Sequence, residues 1–424
     1  MSFPVHSHDS PSLKDRFLAP LSAASNSTSN SRQCPVFADG DWLVGGVRRV
    51  IDSFDSGRDF LQRFPSIEGS LCGYFDTLKS ERRLRMVREV AGEITGEMAR
   101  SAPDRLAGVL PCLDSFDVFA GDGHFHTHAT HERRGEETKY AVGHLYGLNL
   151  RTKALVHLTC ADQEKRKKEH DMRALKRLEI EELRQGAAKG RKTIWIWDRA
   201  GIDFRQWYKW KKGSGIYFVS RTKENMNTDQ LAAPMPYDKA DPANEGVTGD
   251  FLWSTSTGVQ MRVVRFHDAA TGVDYEFVTS LTDPSIPPGV IAQLYRMRWD
   301  IEKAFDDIKN KTREKKAWAG SSNAKSIQAL LTTIAYNLMR MFEREMETAE
   351  GIRNEAEKKR QIKRREKVEA EVKSRGEKLP EIYLALSRTT QISVKFVRWL
   401  RYAVFGTASD VEALAHLRHL YSRI

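Results

Sequence analysis

Three runs of β-branched and aromatic residues, DVFAGD, KYAVGHLYGLNL and KALVHLTC, follow one another from Phe116 with only short polar or glycine breaks between them. That texture predicts three strands. The stretch 162–192 comes next, with 11 basic and 7 acidic side chains. Leu175, Leu178 and Leu183 stripe it as a solvated amphipathic helix, a reading preferred to a nucleic-acid contact. TIWIWD then predicts a short buried strand, RQWYKWKK a helix and IYFVSR another strand. Strand-like pieces, GVQMRVVRFHD and DYEFVTSL, continue until Pro287 and Pro288 stop them. From 289 the pattern is helical to the end, broken at Gly351, Gly376–Pro380 and Gly406, and it is also helical between about 45 and 110. Residues 1–35 are rich in Ser, Asn, Pro and Ala and read as a flexible leader.

Three strands followed by alternating helices and strands is the succession of a ribonuclease-H-like α/β core. The expected fold is therefore a mixed-sheet core of that kind with a β-rich insert and flanking helical regions. Its parts would be a leader (1–40), a helical N-terminal region (41–112), the core (113–340, with the insert at about 222–290) and a basic helical C-terminal region (341–424). A chain of 424 residues with 40% hydrophobic side chains has enough material for such a core. No apolar run approaches the roughly 18 residues a membrane helix needs, and the N-terminus carries no secretory pattern. The formal charge of +11 suits a polyanionic partner. Cys34, Cys72, Cys112 and Cys160 are scattered without a CxxC pair, as expected of a chain in a reducing cytoplasm.

Asp122 closes DVFAGD and Asp198 closes TIWIWD. Acids at the ends of neighbouring strands repel one another unless a cation lies between them, so the pair reads as a magnesium or manganese site. Each can instead begin a turn or cap a helix. LYRMRWDIEKAFDDIKNK supplies what joins them. At about 100° per residue, Tyr295, Arg298, Glu302 and Lys309 fall within one stripe about 60° wide. Leu294, Met297, Ile301, Ala304, Phe305 and Ile308 form an adjacent apolar face that would dock on the core. A carboxylate for metal, cations for phosphates and a phenol for a hydrogen bond are what DNA cleavage uses. The competing reading is a surface Arg298–Glu302 ion pair.

The spacing Y-x2-R-x3-E-x6-K, with Trp299 after the Arg and with FVTSLTD and GIYFVSRTKEN nearby, resembles the signature of bacterial insertion-sequence transposases of the insertion-sequence-four family, over about residues 110–340. The resemblance implies a DDE transposase. Asp122, Asp198 and Glu302 would be its three acids, holding two Mg2+ or Mn2+ ions, with Tyr295, Arg298, Lys309, Trp299 and Arg199 on DNA. It also implies double-stranded DNA partners (transposon ends and target), a homodimer in the synaptic complex, no membrane, and a bacterial cytoplasmic location at the nucleoid when bound. The sequence departs from the family after both Asp residues, with Arg199-Ala200-Gly201-Ile202 after the second and Gly123-His124 after the first. Asp114 and Asp117 are alternatives for the first acid.

GDGHFHTHATHE gives a rival reading. Asp122, His124, His126, His128 and His131 lie within ten residues, and HxH on an extended segment shares one face. It resembles the opening of barrel-type metal hydrolases, which need eight strand–helix units and further ligands that the helical last third leaves no room for. A catalytically inactive DNA-binding relative is the third reading. Residues 353–378, with 11 basic and 6 acidic side chains, suit either phosphate tracking or a solvated helix. Trp253 is read as a core residue in preference to a base-stacking one.

Overall fold

The computed structural model describes residues 11–28, 37–52, 54, 56–64, 69–126, 142–161, 169–226, 228, 233–312, 316–386 and 390–422. It divides into two compact units. One comprises residues 1–98, 307–358 and 391–424, the other residues 99–306 and 359–390.

The first unit is helical among its described residues. Leu13–Ser27, which the sequence reading assigns to a flexible leader, is a helix. Ser12 caps it by accepting the Asp15 N–H, and Leu13, Phe17, Leu18, Leu21 and Ala24 recur at helical spacing and are buried. The polar Ser/Asn tail masks this short amphipathic pattern, whose stability comes from packing and not from propensity. Phe17 meets the Phe342 ring edge-on at 5.3 Å, and Phe342 stacks on Trp399 at 6.0 Å. The long helix Ser322–Thr348 is buried along most of its length, and its Leu331 lies against Gly46, where a Cβ would stand 2.7 Å from it.

In the second unit, nine strands among the described residues form one sheet. They are β1 (Phe116–His126), β2 (Val142–Asn149), β3 (Leu155–Cys160), β4 (Lys192–Ile196), β5 (Ile216–Arg221), β6 (Ala233–Pro234), β7 (Val247–Ser254), β8 (Gln260–Asp268) and β9 (Val273–Thr279). The order is β3-β2-β1-β4-β5-β9-β8-β7-β6. β1 to β3 are antiparallel neighbours, while β4 pairs parallel to both β1 and β5. This is the ribonuclease-H-like order that the sequence predicts, with the insert continuing the same sheet antiparallel beyond β5. Trp253 of the insert is buried against Phe204 at 5.3 Å, a core residue. Residues 359–390 return to the insert, where Val372 and Leu379 pack on Ala269 and His267 Nε2 lies 3.1 Å from Glu377.

Candidate active site

Side chains alternate along β1, so Val118, Ala120, Asp122, His124 and His126 share one face while Phe119 and Gly121 share the other. On the second face Phe119 stacks on Trp195 at 4.9 Å, within a cluster of Trp197, Trp207 and Trp210. Gly121 is there because the Trp197 indole fills its place; a Cβ would lie 1.7 Å from a ring carbon. Gly121→Ala is expected to cost about 1–3 kcal/mol. Chemical denaturation would read this, and unchanged stability would show that the indole moves aside freely.

The strand does not end at Asp122, as the sequence suggests, but continues to His126 paired to β2. What ends is the pairing to β4, whose last partners are Ala120 and Ile196. Two residues beyond that pair come Asp122, still in β1, and Asp198, just past the end of β4. One Asp198 oxygen caps the Arg199–Gly201 turn by accepting the Ala200 N–H at 2.8 Å, and the Ser220 hydroxyl donates to its carbonyl at 3.0 Å. Asp117, an alternative first acid, is structural: it is buried and accepts the Ala188 N–H at 2.7 Å.

Glu302 comes from the helical segment after Pro287. Pro288–Met297 is a helix with proline at its first position, which needs no N–H there. Trp299–Asp306 follows, and Asp307–Lys311 is a π-helical turn. Leu294, Met297, Ile301, Ala304, Phe305 and Ile308 are all buried, as the helical stripe predicts. The regular 100° step does not hold throughout. The bonds Arg298 N–H to Tyr295 O and Ile301 N–H to Arg298 O span three residues, and the π turn is wider than an α turn. Lys309 is an exposed residue of that turn, beyond the point where the regular step ends.

Arg298 is not half of a surface pair. It is buried, with Nη1 3.3 Å from Asp122 Oδ2 and Nη2 2.8 Å from Glu302 Oε1. Burial opposes its charge, but Asp122, Tyr295 and Glu302 raise its pKa above the ordinary value. Burial pushes the Asp122 carboxyl up to about 6, against the pull of Arg298 and of the Gly123 N–H, while the charges of Asp198 and Glu302 add to the rise. Asp122 thus lies within electrostatic reach of both Asp198 and Glu302. Their oxygens are not gathered within 4.8 Å among the described residues, and the Arg298 guanidinium stands between two of them. Tyr295 stays a neutral phenol, its pKa raised by burial, and packs on Phe277 at 5.1 Å. Trp299 is half exposed, with Arg298 5.6 Å from its ring, and Arg199 lies 3.7 Å from Glu224.

A test of this electrostatics follows from the sign of the Asp122 shift. The native carboxyl titrates near 6 and an unfolded one near 4, so the native state holds the extra proton between those values. Stability of the metal-free protein falls as pH rises through that window and stays reduced above it. Asp122→Asn removes that penalty and should stabilise the metal-free protein at pH 7 by up to about 2 kcal/mol. Near pH 4 the gain should vanish. Melting at both pH values decides this, and a destabilised Asp122→Asn at pH 7 would contradict it.

Sequence reading misses the group that holds the Glu302 helix down. Asp300, almost wholly buried, meets Lys153 Nζ at 2.5 Å and Arg105 Nη1 at 3.5 Å. Lys153 sits in the turn between β2 and β3 with φ +66°, and burial lowers its pKa to about 7 despite Asp300. The partners are 147 residues apart, and no local pattern links them.

His124 and His126 lie on the Asp122 face, with Phe305 5.1 Å from the His124 ring; His128 and His131 fall outside the described residues. The described strands form an open sheet and not the eight-unit barrel that the hydrolase reading needs.

A mixed sheet in the order 3-2-1-4-5, with acids where β1 and β4 part and a helix docked across that face, defines the class: a ribonuclease-H-like core of the kind that carries polynucleotidyl transfer. The family is narrower. Residues 113–338, more than half of the chain, match the transposase DDE domain, and the chain belongs to that family. It is thus a transposase-type enzyme acting on DNA, in a family that uses divalent metal ions. No curated protein matches the chain. No helix among the described residues is long and apolar enough to cross a membrane.

Proposed function

We propose that this chain is a transposase of the insertion-sequence-four family that binds the terminal inverted repeats of its own element, cleaves there and joins the 3′-OH to target DNA. The observation that carries the reading is Arg298 spanning Asp122 and Glu302 on the face where β4 delivers Asp198. These three acids offer hard oxygen donors, the chemistry that Mg2+ or Mn2+ prefers, and the family resemblance implies two ions. Bound there, the ions would activate the attacking hydroxyl and neutralise the leaving oxygen. The protein's own groups do the rest. Arg298 holds Asp122 and Glu302 in place before metal arrives and then offers its N–H fork to a phosphate. The neutral Tyr295 phenol donates a hydrogen bond. The exposed Trp299 ring offers a stacking face, and Arg199 and Lys309 supply charge along the backbone.

The helical region 41–112 would read the DNA ends, and the chain would act as a homodimer at the bacterial nucleoid. The helix Glu355–Ser374, exposed along most of its length, adds non-specific phosphate contacts.

The test uses duplexes carrying the element's own ends. Cleavage at the terminus and strand transfer should require Mg2+ or Mn2+ and stop with a chelator; cleavage that survives chelation contradicts the reading. Lys309→Ala should lower the salt slope of binding by about one, and an unchanged slope removes Lys309 from the interface.

A further inference from the structure

Beside the acids, the same sheet face carries a second cluster with different donors. His144 on β2 and His157 and Cys160 on β3 bring one ligand atom each to within 4.8 Å of one another, the one such trio among the described residues. His144 Nδ1 lies 3.3 Å from His157 Nε2 and 3.2 Å from Cys160 Sγ. His144 and His157 are buried, and Cys160 is partly so.

His157 and Cys160 are three apart in sequence, so on a regular strand they would point to opposite faces. The register between β2 and β3 shifts between Leu145 and Tyr146, with His157 opposite Tyr146 but Thr159 opposite Leu145. That bulge leaves an extra residue, Leu158, whose side chain joins the tryptophan core on the far side. The odd spacing becomes even, and both ligand-type side chains turn to one face, as bulges do when they re-aim a side chain. Cys160 then stands opposite His144 in register, and the His126 ring adds a further imidazole 5.5 Å from that of His144.

We propose that His144, His157 and Cys160 form a binding site for a zinc-type divalent ion, distinct from the carboxylate site. A tetrahedral zinc about 2.0–2.1 Å from nitrogen and 2.3 Å from sulfur sets its ligand atoms about 3.3–3.6 Å apart. The two distances within the trio come close to that spacing. Thiolate with imidazole selects zinc and its neighbours in the series over magnesium, which takes oxygen donors. The ion would cross-link β2 to β3 one strand away from Asp122, fixing the edge of the sheet that bears the acids. The proposal stands on the trio's geometry and does not depend on how the acids act.

Cobalt reports such a site directly. Full-length protein stripped with chelator and titrated with Co2+ should take up one ion with a thiolate-to-cobalt charge-transfer band and tetrahedral d–d bands. Zn2+ should erase both, and excess Mg2+ should leave them. The bands should persist when Cys34, Cys72 and Cys112 are replaced by Ser and when Glu302 is replaced by Gln. Cys160→Ser should lose the charge-transfer band, and His157→Asn should bind at least about tenfold more weakly. If those variants do not fold, the unmodified protein still decides, because Zn2+ should protect Cys160 alone from alkylation. A wild-type protein with no thiolate band, a band that survives Cys160→Ser, or Cys160 equally reactive with and without Zn2+ would overturn the proposal. The trio would then be a hydrogen-bonded His–His–Cys chain.

Discussion

Glu302→Gln is expected to lower metal-dependent strand cleavage about a thousandfold while binding of the DNA ends stays nearly unchanged. The substitution keeps the size of the side chain and an oxygen for Arg298, whose Nη2 lies 2.8 Å from the carboxylate. It removes the charge that a divalent ion needs, and losing several kcal/mol of transition-state stabilisation corresponds to about three powers of ten. Gel-shift and cleavage assays on one preparation separate the two readouts. Full cleavage by the Glu302→Gln protein would remove Glu302 from the chemistry, and a parallel loss of binding and cleavage would mark a structural role instead.

The second large effect concerns Asp300. Asp300→Ala should destabilise the protein by about 3 kcal/mol, because it leaves Lys153 buried without its carboxylate. It should also lower cleavage, since Asp300 stands two positions before Glu302 and ties that helix to the turn between β2 and β3. The informative comparison is the double variant Lys153→Met/Asp300→Leu. Replacing both charges with apolar side chains should restore most of the stability, as it does for buried pairs generally. Stability that stays as low in the double variant as in Asp300→Ala would show that the pair contributes more than mutual neutralisation, for instance through Arg105. Denaturant midpoints measure this.

Most strands between Phe116 and Thr279 were open to reading because β-branched or aromatic runs bounded by turn residues mark them. The segment 162–192, expected as one helix, instead forms two short ones in its described part, Asp171–Leu175 and Ile180–Leu183, with Leu175, Leu178 and Leu183 buried in the core. Asp122 was recognisable as an acid near a strand end, yet its setting inside β1 was not. The change there is loss of one neighbour, β4, while β1 itself continues, and a neighbour leaves no mark on the sequence of the strand it leaves. The buried face from Leu294 to Ile308 followed from helical periodicity, whereas the tightened turn at Arg298 and the π turn at Asp307–Lys311 depend on tertiary contacts that periodicity does not encode. Arg298 shows the same limit. Spacing paired it with Glu302, but its second partner, Asp122, is 176 residues away. The convergence of His157 with Cys160 was hidden because a period of two separates residues three apart, and only the bulge at Leu158 reverses that.

In the proposed mechanism Asp122, Asp198 and Glu302 together hold the reactive metal. Anomalous scattering from crystals of the protein soaked in Mn2+ tests it most directly. Manganese is expected on all three carboxylates, with the Arg298 guanidinium displaced from at least one of them. Manganese bound elsewhere, with Arg298 still bridging Asp122 and Glu302, would contradict it.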